Sequence, residues 1–240
     1  MLLLPVRTAL IHGFLGDPRA WDDVIAAWPG RERPIAVALP GHGGGPVRAT
    51  WDDNLGAVAE QIGNADVVVG YSLGARVALG LLASGRYFRG VLIGVNPGVS
   101  EAERGSRREF DSAWARMLRA NGIRAFSDAW AAQPLFATQR RVSPDKLEAR
   151  RTRRLAHDPE ELARSLEIMG LASMPDYWKV ISTHRERIAL IAGADDAKYV
   201  AISQSLPCAY FEQVPGAGHD PTLEQPAALA AAIVRAIEHL

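Results

Sequence analysis

Six short apolar runs recur along the chain: TALIHGF (8–14), IAVALPG (35–41), DVVVGYS (66–72), GVLIGVN (90–96), IALIAGAD (188–195) and YFEQVPGAGH (210–219). Most are continuous rather than alternating, which is the pattern of strands covered on both faces. Amphipathic stretches lie between and after them, and Trp21–Trp28, Trp51–Ile62, Leu73–Leu82 and Glu224–His239 are predicted helices. Strand–helix alternation of this kind specifies an α/β fold, with a mostly parallel central sheet and helices on both faces.

The alternation lapses between about residues 99 and 178. Helical patterns alone fill that stretch, at Ala102–Ala120, Ile123–Ala132, Pro144–Arg154 and Glu160–Met169. No Ser/Gly linker, repeat or low-complexity tract sets it apart. The expectation is one domain over 1–240, with its core in 1–98 and 179–240 and a helical cap inserted at about 99–178. A chain of 240 residues, 48% hydrophobic, can bury a full core of that kind.

Charge and cysteine content narrow the function. There are 27 basic and 27 acidic residues, so no overall field points to nucleic acid or a membrane surface. No run approaches the ~20 apolar residues of a membrane span. MLLLPVRTALIHGF is interrupted by Pro5 and Arg7 and lacks a basic leader, so it is predicted to be a first strand, not a signal peptide. The single cysteine, Cys208, excludes an intramolecular disulfide and suits a reducing, cytoplasmic setting. Cys208 itself is expected to be filler near a strand start. The charge is unevenly placed, however. From Arg104 to Arg154 thirteen basic residues stand against five acidic ones. Most belong to a solvated helix face, but a basic lid over a cleft would concentrate anionic ligands.

Gly70-Tyr71-Ser72-Leu73-Gly74 matches G-x-S-x-G between a strand and a helix, the setting of a nucleophile elbow. The turn is so sharp that side chains two positions either side of the serine would clash, hence glycine at both. A helix N-terminus also favours negative charge on the serine oxygen. Such a serine needs a base, and the fold sets the order serine, acid, histidine. His219 lies on the Gly-rich loop before the last helix. His12 and His42 lie in other strand-end loops, and His157, His184 and His239 on helical or solvent-facing patterns. The acid should end the preceding strand, where Asp195 and Asp196 compete. G-x-x-D spacing from Gly193 selects Asp196. His12-Gly13-Phe14 closes the first strand, so the N–H groups of Phe14 and Leu73 are the expected oxyanion hole.

HGFLGDPRAW, LPGHGGG, VGYSLGARVAL, NPGVSEAERGSRREFDSAWA, DAWAAQPLFA, GADDAKY and GAGHDPTLEQP together resemble the 2-succinyl-6-hydroxy-2,4-cyclohexadiene-1-carboxylate synthases of menaquinone biosynthesis, within the α/β-hydrolase superfamily. The likeness runs from about His12 to Pro226. It implies a lyase that eliminates pyruvate from an enolpyruvyl cyclohexene carboxylate, with no cofactor and no metal. It also implies a small polycarboxylate as substrate, and gives Arg76 a purpose. Four residues after Ser72, Arg76 returns to the same helix face, where its fork could hold a carboxylate. A salt bridge to the sheet edge is the competing role. The likeness further implies Tyr71, Arg107 (or Arg108), Trp130 and Arg151 (or Arg150) as substrate-binding residues. Ser72 becomes a general base activated by His219, which Asp196 orients. Two departures stand out. The HG pair comes so early that the leading antiparallel hairpin is expected to be absent or reduced, and Ala75 stands where relatives often have a second glycine. The same triad would also serve a carboxylesterase or thioesterase acting on an anionic substrate through an acyl-serine. A non-catalytic binding protein is a further alternative, disfavoured by the intact Ser, Asp and His.

Overall fold

The computed structural model describes residues 6–240; the start of the predicted first strand, residues 1–5, lies outside them. In chain order the elements are β1 (Thr8–Ile11), α1 (Asp22–Ala26), β2 (Ile35–Val37), α2 (Trp51–Ile62), β3 (Val67–Tyr71), α3 (Leu73–Ala83) and β4 (Arg89–Ile93). Then come α4 (Glu101–Ala131), α5 (Pro144–Arg154), α6 (Pro159–Ile168) and α7 (Trp178–Thr183). The chain closes with β5 (Ile188–Gly193), α8 (Ala197–Gln204), β6 (Tyr210–Val214), α9 (Pro221–Glu224) and α10 (Pro226–Glu238). Short 3-10 turns cover Pro18–Trp21, Pro134–Arg141 and Arg185–Arg187.

The six strands form one sheet in the order β2-β1-β3-β4-β5-β6, and every pairing is parallel. Among the described residues there is no leading antiparallel hairpin. Alternate residues feed two apolar layers, as a two-faced sheet requires. Ala9, Ile11, Val68, Leu92 and Leu190 point to the side of α2 and α3. Leu10, Val69, Val91, Ile93 and Ile191 point to the side of α1 and α10. The helices answer with Val77 and Leu81 from α3, and with Leu229 and Ile233 from α10. Cys208 sits half-buried just before β6 and packs on the first layer. No helix among the described residues is long and apolar enough to cross a membrane.

Between β4 and β5 the chain is entirely helical. α4 begins with a reciprocal cap, in which the Ser100 hydroxyl accepts from Glu103 N–H and the Glu103 carboxylate accepts from Ser100 N–H. Gly122, at φ 74°, breaks α4 into two arms. A side chain there would be held in the left-handed region. α4 and α6 share their own apolar cluster of Ala115, Leu118, Phe126, Leu162, Ala163 and Leu166, which Leu15 of the β1 loop joins. The strand order reverses between β1 and β3, and at such a switch point the loops after two neighbouring strands diverge and open a crevice. The helices of the insertion lie over that crevice.

Candidate active site

Ser72 follows β3 at the switch point with φ 53° and ψ −109°, a conformation costly for a residue with a side chain. The neighbouring glycines make the bend possible. A Cβ on Gly70 would fall 2.1 Å from the Gly74 carbonyl oxygen, and one on Gly74 would fall 2.2 Å from that of Ile11. Ser72 N–H donates to the Ile93 carbonyl (2.9 Å), which pins the turn to β4.

His219 Nε2 lies 3.1 Å from Ser72 Oγ, and His219 Nδ1 lies 2.7 Å from Asp196 Oδ2. Asp196 Oδ1 accepts Tyr199 N–H and so caps α8 (3.3 Å). Asp196 and His219 are both buried, while Asp195 turns outward to pair with Arg141. The two predicted oxyanion residues, Phe14 and Leu73, line the same cavity as Ser72. Among the described residues neither of their N–H groups has a partner within the protein.

That cavity encloses about 580 Å³. Tyr71, Arg76, Arg107 and Trp130 all reach it. The wall is aromatic on the insertion side, where Trp130 packs 4.9 Å from Phe14 and stacks on Phe126 at 5.5 Å, centroid to centroid. Arg76 N–H closes the first turn of α3 onto the Ser72 carbonyl (3.1 Å), which sets the side chain one turn along from the serine. Its Nη1 donates to the Met169 carbonyl (3.1 Å) and contacts Met174 Sδ (3.8 Å). Among the described residues it has no acidic partner, so the salt bridge to the sheet edge is not formed. Burial, and then the like charge of Arg107, push the Arg76 guanidinium down to about 10. Arg107 is held by Asp111 (2.8 Å), one turn on along α4. Arg108 is exposed.

Arg151 is a correction. Its fork grips Asp128 on the outside of the insertion (Nε–Oδ1 2.9 Å, Nη2–Oδ2 3.1 Å), and it does not line the cavity of Ser72. Nor does Arg150, which turns inward to a buried ion pair with Asp220. On the helix the two neighbours differ by about 100° around the axis, so Arg150 turns to the buried side and Arg151 to the outer side, and neither enters the cavity.

Several cavity residues are not singled out from the sequence, although Tyr199, Gln133 and Phe136 lie within the GADDAKY and DAWAAQPLFA stretches. Tyr199 packs its ring 4.4 Å from that of His219, and burial raises its phenol above the ordinary value. Gln133, Phe136 and Leu171 complete the wall. The Arg150–Asp220 pair joins residues far apart in the chain, and periodicity says nothing of it. His157, assigned to a helical or solvent-facing pattern, instead packs edge-on against buried His42 (5.6 Å). Among the described residues no cluster of three or more His, Cys, Asp or Glu has the geometry to hold a metal ion.

Comparison with known proteins places this arrangement. The profile of the alpha/beta hydrolase family matches residues 9–232. The 2-succinyl-6-hydroxy-2,4-cyclohexadiene-1-carboxylate synthase of Klebsiella pneumoniae is 32% identical over 94% of this chain and 91% of its own. The protein of that name from Enterobacter sp. strain 638 is 31% identical over 94% and 89%. Among solved structures, MenH from S. aureus superimposes with a TM-score of 0.89 at 26% identity, covering 99% of this chain and 95% of that one. A Thermogutta terrifontis esterase with malate bound shares the fold at a TM-score of 0.80 and 22% identity, over 97% and 89%. The chain belongs to the alpha/beta hydrolase family and, within it, to the 2-succinyl-6-hydroxy-2,4-cyclohexadiene-1-carboxylate synthases.

Proposed function

We propose that the protein eliminates pyruvate from 2-succinyl-5-enolpyruvyl-6-hydroxy-3-cyclohexene-1-carboxylate to give 2-succinyl-6-hydroxy-2,4-cyclohexadiene-1-carboxylate. The observation that carries this reading is Arg76. An arginine without an acidic partner among the described residues stands one helical turn from Ser72, beside Arg107, in one cavity. A neutral ester has no use for such a group, and a tricarboxylate does.

The names of substrate and product fix the electron movement. One ring double bond at C3 becomes two, at C2 and C4. The proton therefore leaves C2, next to the succinyl carbonyl. Its electron pair forms C2=C3, the old π pair moves to C4=C5, and the C5–O bond breaks. Enolpyruvate departs and takes up a proton on carbon to become pyruvate. The reaction is redox-neutral, so its electrons balance without a cofactor. Ser72 Oγ accepts the C2 proton as its own passes to His219 Nε2, and Asp196 steadies the imidazole through Nδ1. The N–H groups of Phe14 and Leu73 stabilise charge growing on the succinyl oxygen, a role worth a few kcal/mol per donor. Arg76 and Arg107 hold carboxylates and fix the ring against the serine. Residues 99–178 act as a cap of the same domain, since their apolar cluster takes in Leu15 of the β1 loop.

The test is to generate the enolpyruvyl substrate in situ, add the protein, and follow pyruvate release together with diene absorbance. Equal rates of both are expected, and substrate surviving intact overturns the reading. The paired N–H groups beside Ser72 also suit an acyl-enzyme. Turnover of p-nitrophenyl esters at the rates of ordinary esterases would shift the assignment to that hydrolase.

A further inference from the structure

α5 has little apolar grip. Its sequence, PDKLEARRTRR, offers Leu147 alone among large aliphatics, and the one residue it buries is Arg154. Ion pairs hold it instead. Lys146 meets Asp23 (2.7 Å), Arg151 meets Asp128 (2.9 Å) and Arg153 approaches Asp17 (4.0 Å), all partly open to solvent. Such pairs contribute little and weaken with salt. The fourth is different. Arg150 and Asp220 pair with side chains only 12% and 0% exposed. Burial opposes the charge on each. The Arg150 charge, with the Thr222 hydroxyl, still holds the Asp220 carboxyl below its ordinary value, and Asp220 holds Arg150 above its own.

Asp220 is the residue after His219. The Thr222 hydroxyl donates to Asp220 Oδ1 (2.5 Å). The Glu224 carboxylate accepts N–H from Gly218 (2.9 Å) and from Asp220 (3.3 Å), one on each side of the histidine. A Cβ on Gly218 would sit 2.1 Å from Thr138 Oγ1, so the loop has no slack there. The histidine loop is thus anchored by its own helix on one side and by α5 on the other.

We propose that Arg150 and Asp220 are positioning residues, and that their buried ion pair ties the docking of α5 to the placement of His219 against Ser72. The proposal rests on the proposed role of His219 as partner of Ser72, and not on the identity of the substrate. The groups facing His219 are Asp196 from the β5–α8 loop, Tyr199 of α8, Tyr71 of β3, Ser72 of the elbow and the ring of Phe136. Beyond them lie Glu224 and Asp220 of its own segment, with Arg150 and Arg154 of α5. Removing the Arg150 charge leaves the Asp220 carboxylate offset only by Arg154 and the Thr222 hydroxyl, which shifts the local field toward the imidazolium. Removing the Asp220 charge leaves bare guanidinium groups, which disfavour it.

The experiment labels Ser72 in the full chain with a fluorophosphonate between about pH 5 and pH 9, with the thermal midpoint measured alongside. The variants are Arg150→Met, Arg150→Lys, Asp220→Asn and the double Arg150→Met/Asp220→Asn. Each single neutralisation should slow labelling about tenfold or more at neutral pH. The acidic limb of the profile should move to higher pH in Arg150→Met and to lower pH in Asp220→Asn. Arg150→Lys should recover most of the rate. The double variant should return the limb to its original place while labelling slowly. If the single variants do not fold, Arg150→Lys and the double carry the test. Limbs unmoved in folded single variants, or a double variant that labels at the original rate, would overturn the proposal. So would absence of labelling in the unaltered chain. Labelling that behaves as expected, without pyruvate release, would sink the lyase reading alone.

Discussion

Replacing Arg76 by Met should make the protein more stable and nearly inactive. In the free cavity the guanidinium is half-buried, faces Arg107 and has no acidic partner among the described residues. Its displacement to about 10, caused first by burial and then by Arg107, corresponds to about 3 kcal/mol against the charged form. The sign follows from linkage. A base held below its unfolded value binds fewer protons folded than unfolded between about pH 10 and the ordinary arginine range. Stability therefore rises with pH in that window, and at neutral pH the full penalty is present. Partial solvent screening and the lost bond from the charged guanidinium to the Met169 carbonyl, about 1.5–3 kcal/mol, reduce the net gain of the variant to at most about 1 kcal/mol. For a chain of this size that raises Tm by up to about 4 °C. The same change removes the proposed carboxylate fork, at about 1.5–3 kcal/mol per charged hydrogen bond, so kcat/KM should fall about 100-fold or more. Arg76→Lys should keep the charge and still lose most of the rate, because an ammonium cannot offer a planar pair of donors. Differential scanning calorimetry and the pyruvate assay check the two halves. A Tm several degrees lower in Arg76→Met would refute the reasoning and make Arg76 a structural clamp on Met169.

Ser72→Ala should lower pyruvate release by at least about two orders of magnitude with Tm little changed, and full turnover would remove Ser72 from the mechanism. Arg151→Ala should leave kcat/KM within about twofold and Tm within about 1 °C, because its pair with Asp128 is exposed; a large kinetic loss would return Arg151 to the cavity. Buried His12 donates from Nδ1 to the Gly13 carbonyl (2.8 Å) and accepts Leu39 N–H at Nε2 (3.1 Å), which only the neutral ring can do. Burial lowers it to about 4, so the unfolded chain takes up the proton first. Stability should then fall as pH drops from about 6.5 to about 4, by up to ~3 kcal/mol from this group. The urea midpoint reads this, and a His12→Asn chain with an unchanged slope would refute it.

The strands and the elbow were legible because the physics behind them is local. Short apolar runs, most of them continuous, identified all six strands, and the Gly-Ser-Gly bend located Ser72, since backbone crowding dictates its neighbours. Even the break in α4 was visible, as the helical pattern lapsed around Gly122. Elements with weak periodicity escaped, among them α7, α8 and the 3-10 turn at Pro134–Arg141. In the insertion the limit was angular. Arg107 and Arg108, or Arg150 and Arg151, are interchangeable in a linear reading and point about 100° apart on a helix. Pairing over distance left no trace, so Arg150–Asp220 emerged only from the folded chain.

Phe14 and Leu15 belong to two structures at once. They close the loop after β1, and they are packed by the aromatic and aliphatic side chains of α4 and α6. Loosening α4 and α6 would free the loop that carries the Phe14 N–H, one of the two donors proposed to meet the developing negative charge. Changes that remodel the insertion for a new substrate would also retune the heart of the reaction.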